Sequence, residues 1–292
     1  MTITDQWQQL LATGLVVGSF YGLVAIAMQI VHGSTRILNF AQGDFVTAGA
    51  LVMVTLVSIP WLNVWTALPI LVIIAFVFGV VFDTCVIRPT RSQPPIISSL
   101  ATVAGGAILR GLLLLVYGRS TYSVKPFLGE YRVNIGSAFI TSQDLLMLVG
   151  AAAILLSLVV FFQFTWLGKG MRATAQNPEG ALVVGVNPQV VRMIAFGASA
   201  SVSAVAGALI APIIGARFDL GFGLVLPAFT AAVLGGLGSA AGAVAGGLSL
   251  GVVGAYLDGI LGSEVRAIWL LGALLVLLYL RPYGLLGKRS SE

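Results

Sequence analysis

Residues able to do chemistry are scarce along this chain and widely separated. Its 292 residues hold ten acids, one histidine and one cysteine. With His32 alone, one subunit can build neither a histidine-based triad nor a two-histidine metal motif, and it reads as a polar helix end. Cys85 alone leaves no internal disulfide and no cysteine metal cluster. The phosphate-binding pattern Gly-x-x-x-x-Gly-Lys-Ser/Thr does not occur; Gly284 to Arg289 carries a Gly-Lys pair at the wrong spacing. No catalytic residue, cofactor or metal is therefore expected, and energy for any work must come from a partner or a gradient. What remains are polar residues in or beside apolar runs: Asn39, Gln42 and Asp44, then Asp83, then Arg110. Their chemistry is that of lining or gating a path. Asp44 is costly against lipid, so it should face protein or water. It is either a gate or a first-turn residue that the helix dipole favours and that holds its turn in place, and the structural role is preferred. Arg110 is expected to pair inside the bundle or to snorkel to the outer surface, in preference to contact with a substrate.

The elements that position these residues must be membrane helices. The chain is 58% hydrophobic and 9% charged, with a mean hydropathy of +1.03, whereas soluble domains carry about 25% charged residues. Apolar runs fall at about residues 9 to 31, 42 to 59, 62 to 82, 95 to 118, 143 to 166, 189 to 214, 227 to 257 and 265 to 280. A span needs about 20 such residues. The run at 227 to 257, interrupted by Gly235, Gly236 and Gly238, accommodates a half-span, a turn and a full span. The fold expected is all-α, a polytopic bundle of about nine spans with broken or re-entrant helices. It forms a single transmembrane domain with a first half at 1–166, a connecting segment at 167–188 and a second half at 189–292.

Orientation follows from charge. No Lys or Arg precedes Arg36, so the positive-inside rule puts the N-terminus outside and the loop at residue 36 in the cytoplasm. The same absence argues against a cleaved signal peptide. Carried along the chain, this places the loops near 83 to 94, 167 to 188 and 281 to 292 inside, with the C-terminus. The net charge of +5 reads as that loop bias and not as a nucleic-acid surface.

The segment Trp166 to Pro188 is a polar, glycine-broken island between two apolar runs. Asn177-Pro178 and Asn187-Pro188 each read as a helix start, since Asn caps free N–H groups and proline at the first position has none to satisfy. The first should open a helix of about two turns ending near Gly185, the second the next span. A capped helix in a mere connection suggests a docking surface.

Small residues recur every four positions at Gly14, Gly18 and Gly22, at Ala195, Ser199, Ser203, Gly207 and Ala211, and at Gly238, Gly242 and Gly246. Such stripes let helices approach closely. Because the first helix enters from outside and the helix at 189 from inside, the halves form either an inverted repeat or simply a tightly packed bundle. Glycine-rich breaks also stand in both halves, RILNFAQGDFVTAGA and AAVLGGLGSAAGA. Discontinuous helices mark a transport path, which makes Asn39, Gln42, Asp44, Gly235, Gly236 and Gly238 the candidate path residues.

RILNFAQGDFVTAGA, GKGMRATAQNPEGALVVGVNP, GGLGSAAGAVAGG and the closing RPYGLLGK together resemble the permease subunits of branched-chain amino acid ABC importers. The resemblance covers nearly the whole chain. It implies a bacterial inner-membrane importer in which this subunit pairs with a second, related permease, two cytoplasmic ATPase subunits and a periplasmic substrate-binding protein. It also implies that the island is the coupling helix seated on the ATPase, matched here by Arg172, Gln176, Asn177, Pro178, Glu179 and Gly185. The family's frequent Ala-His-Gly-Glu is Ala-Gln-Gly-Asp here, from Ala41 to Asp44, so no protonation role is carried over. Related permeases move urea, short amides and organic acids, and the sequence leaves the substrate open among these. A self-sufficient carrier or channel is the competing reading, with Asp44 and Asp83 as its only acids for ion coupling.

Overall fold

A computed structural model describes residues 3–90, 92–236, 238–280 and 284. The first half runs through α1 (Ile3–Thr35), α2 (Gln42–Val57), α3 (Val64–Phe82), which continues as a π-helical turn at Asp83–Ile87, and α4 (Pro95–Tyr117). A hairpin of β1 (Arg132–Ile135) and β2 (Ala138–Thr141) precedes α5 (Ser142–Phe164). The connection holds α6 (Trp166–Gln176) and α7 (Pro178–Val183). The second half comprises α8 (Pro188–Ile214), α9 (Phe222–Gly235), α10 (Ala240–Leu261) and α11 (Arg266–Leu280). Six of these helices are long and apolar enough to cross a membrane: α1, α3, α4, α5, α8 and α10. The apolar helix α2, with 16 residues, rises about 24 Å, less than the ~30 Å hydrocarbon thickness. The apolar α9 and the Ile268–Leu277 stretch of α11 are also short.

Burial assigns roles. The apolar windows of α1 and α8 are 72% and 78% buried, against 11% for α5, so α1 and α8 form the interior and α5 the rim. Each interior helix packs on the other; α1 also lies against α9 and α10, and α8 against α2 and α3. Small residues make this possible. A Cβ on Gly14 would come within 2.7 Å of Val252 Cα, and one on Gly251 would strike the Gly18 backbone. On the other side, Gly49 meets Ala204 and Gly207 meets the Val46 carbonyl. The stripes of α1 and α8 therefore do what their spacing suggests. The third stripe is corrected: Gly238 stands in a turn with φ +101, Gly242 and Gly246 pack on α9, and it is Gly247 and Gly251 that face α1.

The polytopic helical bundle expected is what forms, with the addition of the antiparallel β1–β2 hairpin. It is held by α1, whose Gln8 accepts from the Ser137 N–H at 3.0 Å and whose Gln9 accepts from the Phe139 N–H at 3.0 Å. The loop before it bridges to the second half where Tyr122 and Ala216 exchange backbone hydrogen bonds at 2.8 Å. Of the closing motif only Gly284, against Gly236, falls within the described residues. Arg91, Leu237 and the basic residues Arg281, Lys288 and Arg289 lie outside them.

Gly251→Ala should destabilise the purified protein by about 1–3 kcal/mol through overpacking at the α1–α10 crossing. Gly33→Ala, where nothing lies within 4 Å, should be neutral or gain about 0.5–1 kcal/mol. Thermal unfolding in one detergent measures both, and equal behaviour would remove the close-approach argument.

Candidate functional site

Between α1 and α2 the chain unwinds. Arg36 takes a left-handed φ of 58°, and the stretch up to Ala41 is non-helical within the helix bundle, where unpaired backbone N–H groups cost several kcal/mol each. Side chains supply the partners. The Ile37 N–H donates to Thr35 Oγ1 at 3.1 Å, Leu38 to Ser99 Oγ at 3.1 Å, Phe40 to Thr102 Oγ1 at 2.9 Å, and Ala41 to Asn39 Oδ1 at 3.1 Å. Two of these hydroxyls come from α4, so the break is built jointly by two helices. Ser98, Ser99 and Thr102 are a polar patch at helical spacing in an otherwise apolar run, and that was the available signal.

Gln42, fully buried, locks the segment to α8. Its Oε1 accepts from Asn39 Nδ2 at 3.0 Å and Ser199 Oγ at 3.1 Å, while its Nε2 donates to the Ser199 carbonyl at 3.3 Å and to Ser203 Oγ. Ser199 and Ser203 thus give the small stripe of α8 a second use. Two residues on, Asp44 stands in the first turn of α2 and accepts from Arg110 of α4, Nε to Oδ1 at 2.8 Å and Nη2 to Oδ2 at 3.1 Å. Gly106 makes room, since a Cβ there would meet Asp44 Oδ2. Arg110 pairs inside the bundle, the first of its two expected fates.

The chain unwinds again between α8 and α9. The Gly221 N–H donates to Thr47 Oγ1 of α2 at 2.8 Å, and the Gly43 and Gly221 backbones touch. The segment that meets the first break is therefore 215–221, between α8 and α9. That later turn forms a separate cluster. Gln29 of α1 donates to the carbonyls of Ala232 at 3.3 Å and Gly236 at 3.1 Å, and accepts from the Gly238 N–H. Gly235 packs on Gly242. The six candidate path residues thus divide into Asn39, Gln42 and Asp44 within the bundle and Gly235, Gly236 and Gly238 beside Gln29. A lone Gln in an apolar run gave no sign of that contact.

In the island, Asn177 Oδ1 accepts from the Gly180 N–H at 2.9 Å and Asn187 Oδ1 from the Gln189 N–H at 2.9 Å, so both Asn-Pro pairs open helices. The first ends through Gly185 (φ 83°), with Val186 N–H donating to the Ala181 carbonyl at 2.9 Å, a Schellman-type stop. The structure adds α6, which buries Gly168, Gly170, Met171 and Thr174 and presents Arg172 and Gln176 outward with Asn177, Pro178 and Glu179. Beyond them Leu182, Val183 and Val184 are 57%, 87% and 73% exposed. Arg192, one turn into α8, binds Asp83 of the π-helical turn, Nε to Oδ1 at 2.6 Å. The island meets the first-half loops at residues 36 and 93 around a cavity of about 570 Å³ bordered by Arg36, Gln93, Gln176, Pro178 and Arg192.

The chain matches the family described as branched-chain amino acid transport system / permease component over residues 10–279. It is 30% identical over 298 residues to the high-affinity branched-chain amino acid transport system permease protein LivH of Salmonella typhimurium, covering 97% of this chain and 96% of that one. It is likewise 30% identical over 300 residues to the permease protein BraD of Pseudomonas aeruginosa, covering 97% of each. Among solved structures, PsaBC from Streptococcus pneumoniae in complex with Fab shares the fold, with a TM-score of 0.50 and 17% identity over 94% of this chain and 92% of that one. By the family profile that spans almost its full length, and by these two relatives aligned end to end, the chain belongs to the permease components of branched-chain amino acid transport systems.

Proposed function

We propose that this chain pairs with a second permease in an ABC importer for branched-chain or similar small amino acids, driven by two cytoplasmic ATPase subunits and loaded by a periplasmic binding protein. The observation that carries this reading is the island: α7 is capped at both ends and exposes Leu182, Val183 and Val184 beyond the polar Arg172, Gln176 and Glu179. An apolar tip on a rigid, charged-edged helix suits a protein groove better than water. The end carrying α6 and α7 is taken as cytoplasmic, by the positive-inside argument, with the N-terminus periplasmic. The β1–β2 hairpin and the Tyr122–Ala216 bridge then form the platform for the binding protein at the other end.

On this reading the chain crosses nine times. Residues 36–57 make one crossing, extended then helical, and residues 215–235 make another in the opposite sense, so α2 and α9 are each half of a span. An inverted repeat accounts for the packing, because α1 leans on α9 and α10 just as α8 leans on α2 and α3. Closure of the ATPases moves α7, and the Asp83–Arg192 pair passes that movement from the start of α8 to the end of α3. A self-sufficient ion-coupled carrier fits less well. Both acids available to it, Asp44 and Asp83, are already bound to arginines.

A mild-detergent pulldown from native membranes, read by mass spectrometry, should recover two ATPase chains and a second permease; recovery of this chain alone would defeat the proposal. Glu179→Arg and Gly185→Trp should leave the protein in the membrane yet abolish ATPase association or uptake, and normal uptake in both would refute the coupling role. Asp83→Asn leaves the half-buried Arg192 unpaired and should cost about 1–3 kcal/mol. Replacing both partners with apolar residues of similar volume should restore stability in the same melting assay without restoring ATP-driven uptake.

A further inference from the structure

Arg110 is the 16th of the 23 residues of α4, about 24 Å from the helix start and about 10 Å short of its other end, inside the apolar run. Its partner Asp44 is almost sealed, with 3% of its side chain accessible, but Arg110 retains 26%. The bonds to Asp44 use Nε and Nη2, and Nη1 has no partner among the described residues. The guanidinium lies over the Phe222 ring, 4.2 Å from its centroid, and Phe222 is itself 64% exposed at the start of α9. Beside them Gly223 has nothing within 4 Å. A half-open arginine held by Asp44 inside an apolar run is costly against lipid, which favours water or protein on its open side.

We infer that Arg110 is a substrate-contact residue, whose free edge receives the carboxylate of an amino acid crossing the path while the Phe222 ring takes its apolar side chain. The planar fork of arginine suits a carboxylate, which a lysine ammonium would meet only as a point charge. Asp44 is then a positioning residue that fixes the guanidinium, and Gly106 leaves the space for it. Asp44 acts through Arg110 and does not meet the solute. The inference rests on the path running along this face against the second permease, as proposed above. It also selects among solutes: those bearing a carboxylate are recognised, and urea and neutral amides are not.

The test uses the complete importer in proteoliposomes with its binding protein. In the unaltered complex, phenylglyoxal labelling of Arg110 is followed by peptide mass spectrometry with leucine or with leucinamide. Labelling should occur and be slowed by leucine only. Equal slowing by both compounds, indifference to leucine, or no labelling of Arg110 at all would each overturn the inference. The double variant Asp44→Asn with Arg110→Gln removes both charges while keeping shape, so no buried charge is stranded. It should bind its ATPases and hydrolyse ATP normally but take up leucine at least about tenfold more slowly. Normal uptake would mean that Arg110 serves Asp44 alone. Failure of the unaltered chain to assemble with ATPases would count against the importer reading itself, which keeps the two apart.

Discussion

The constraint on which this structure depends is that a backbone unwound inside an apolar medium must find every hydrogen bond within the protein. A straight helix meets that requirement by itself, and a broken one does not. The stretch from Ile37 to Ala41 survives because hydroxyls of Thr35, Ser99 and Thr102 and the amide of Asn39 stand in for a missing helical turn. Those partners come from three different elements, so α1, α4 and the break form one unit. The 215–221 break obeys the same rule through Tyr122 and Thr47, and its partners tie the second half to the first.

Once those breaks are held, the rest of the arrangement is narrowly determined. Gln42 can satisfy its four bonds only if Ser199 and Ser203 of α8 lie beside it, which fixes the height of α8 against α2. Asp44 follows one half-turn later and requires a cation at the same depth on α4. The glycine contacts between α1 and α10 then set the distance at which the opposite half can close. Polar bonds give the register and small residues give the spacing. Apolar burial, shared by lipid-facing and interior surfaces alike, supplies less of the discrimination than in a soluble domain.

Local features were legible in the sequence. The Asn-Pro pairs predicted helix starts because capping needs only neighbours in the chain, and the depth of Arg110 followed from counting along an apolar run. The identity of its partner did not, although Asp44 was the nearest affordable acid. Contacts between distant segments stayed hidden: Gln29 with the 236–238 turn, Gln8 and Gln9 with the hairpin, Asp83 with Arg192. Glycine content marked the 235–239 turn, but the break that meets the first one, at 215–221, carries fewer glycines and an Arg-Phe-Asp sequence that looks like an ordinary outer loop. Helix α6 escaped for a related reason, since Gly168 is there for packing against the preceding span and Gly170 for packing against Val186, and neither breaks a helix.

The contact of Gly43 with Gly221 has a mechanical meaning. Two helix beginnings from opposite halves touch there backbone to backbone, with Val225 the one side chain beside Gly43. Where side chains mesh, relative motion would have to lift them out of the gaps they fill. Here little has to disengage, which suits a tilt about this point as about a bearing, while the hydrogen bond from Gly221 to Thr47 opposes sliding past it. A substituent on either glycine would turn that bearing into a lock.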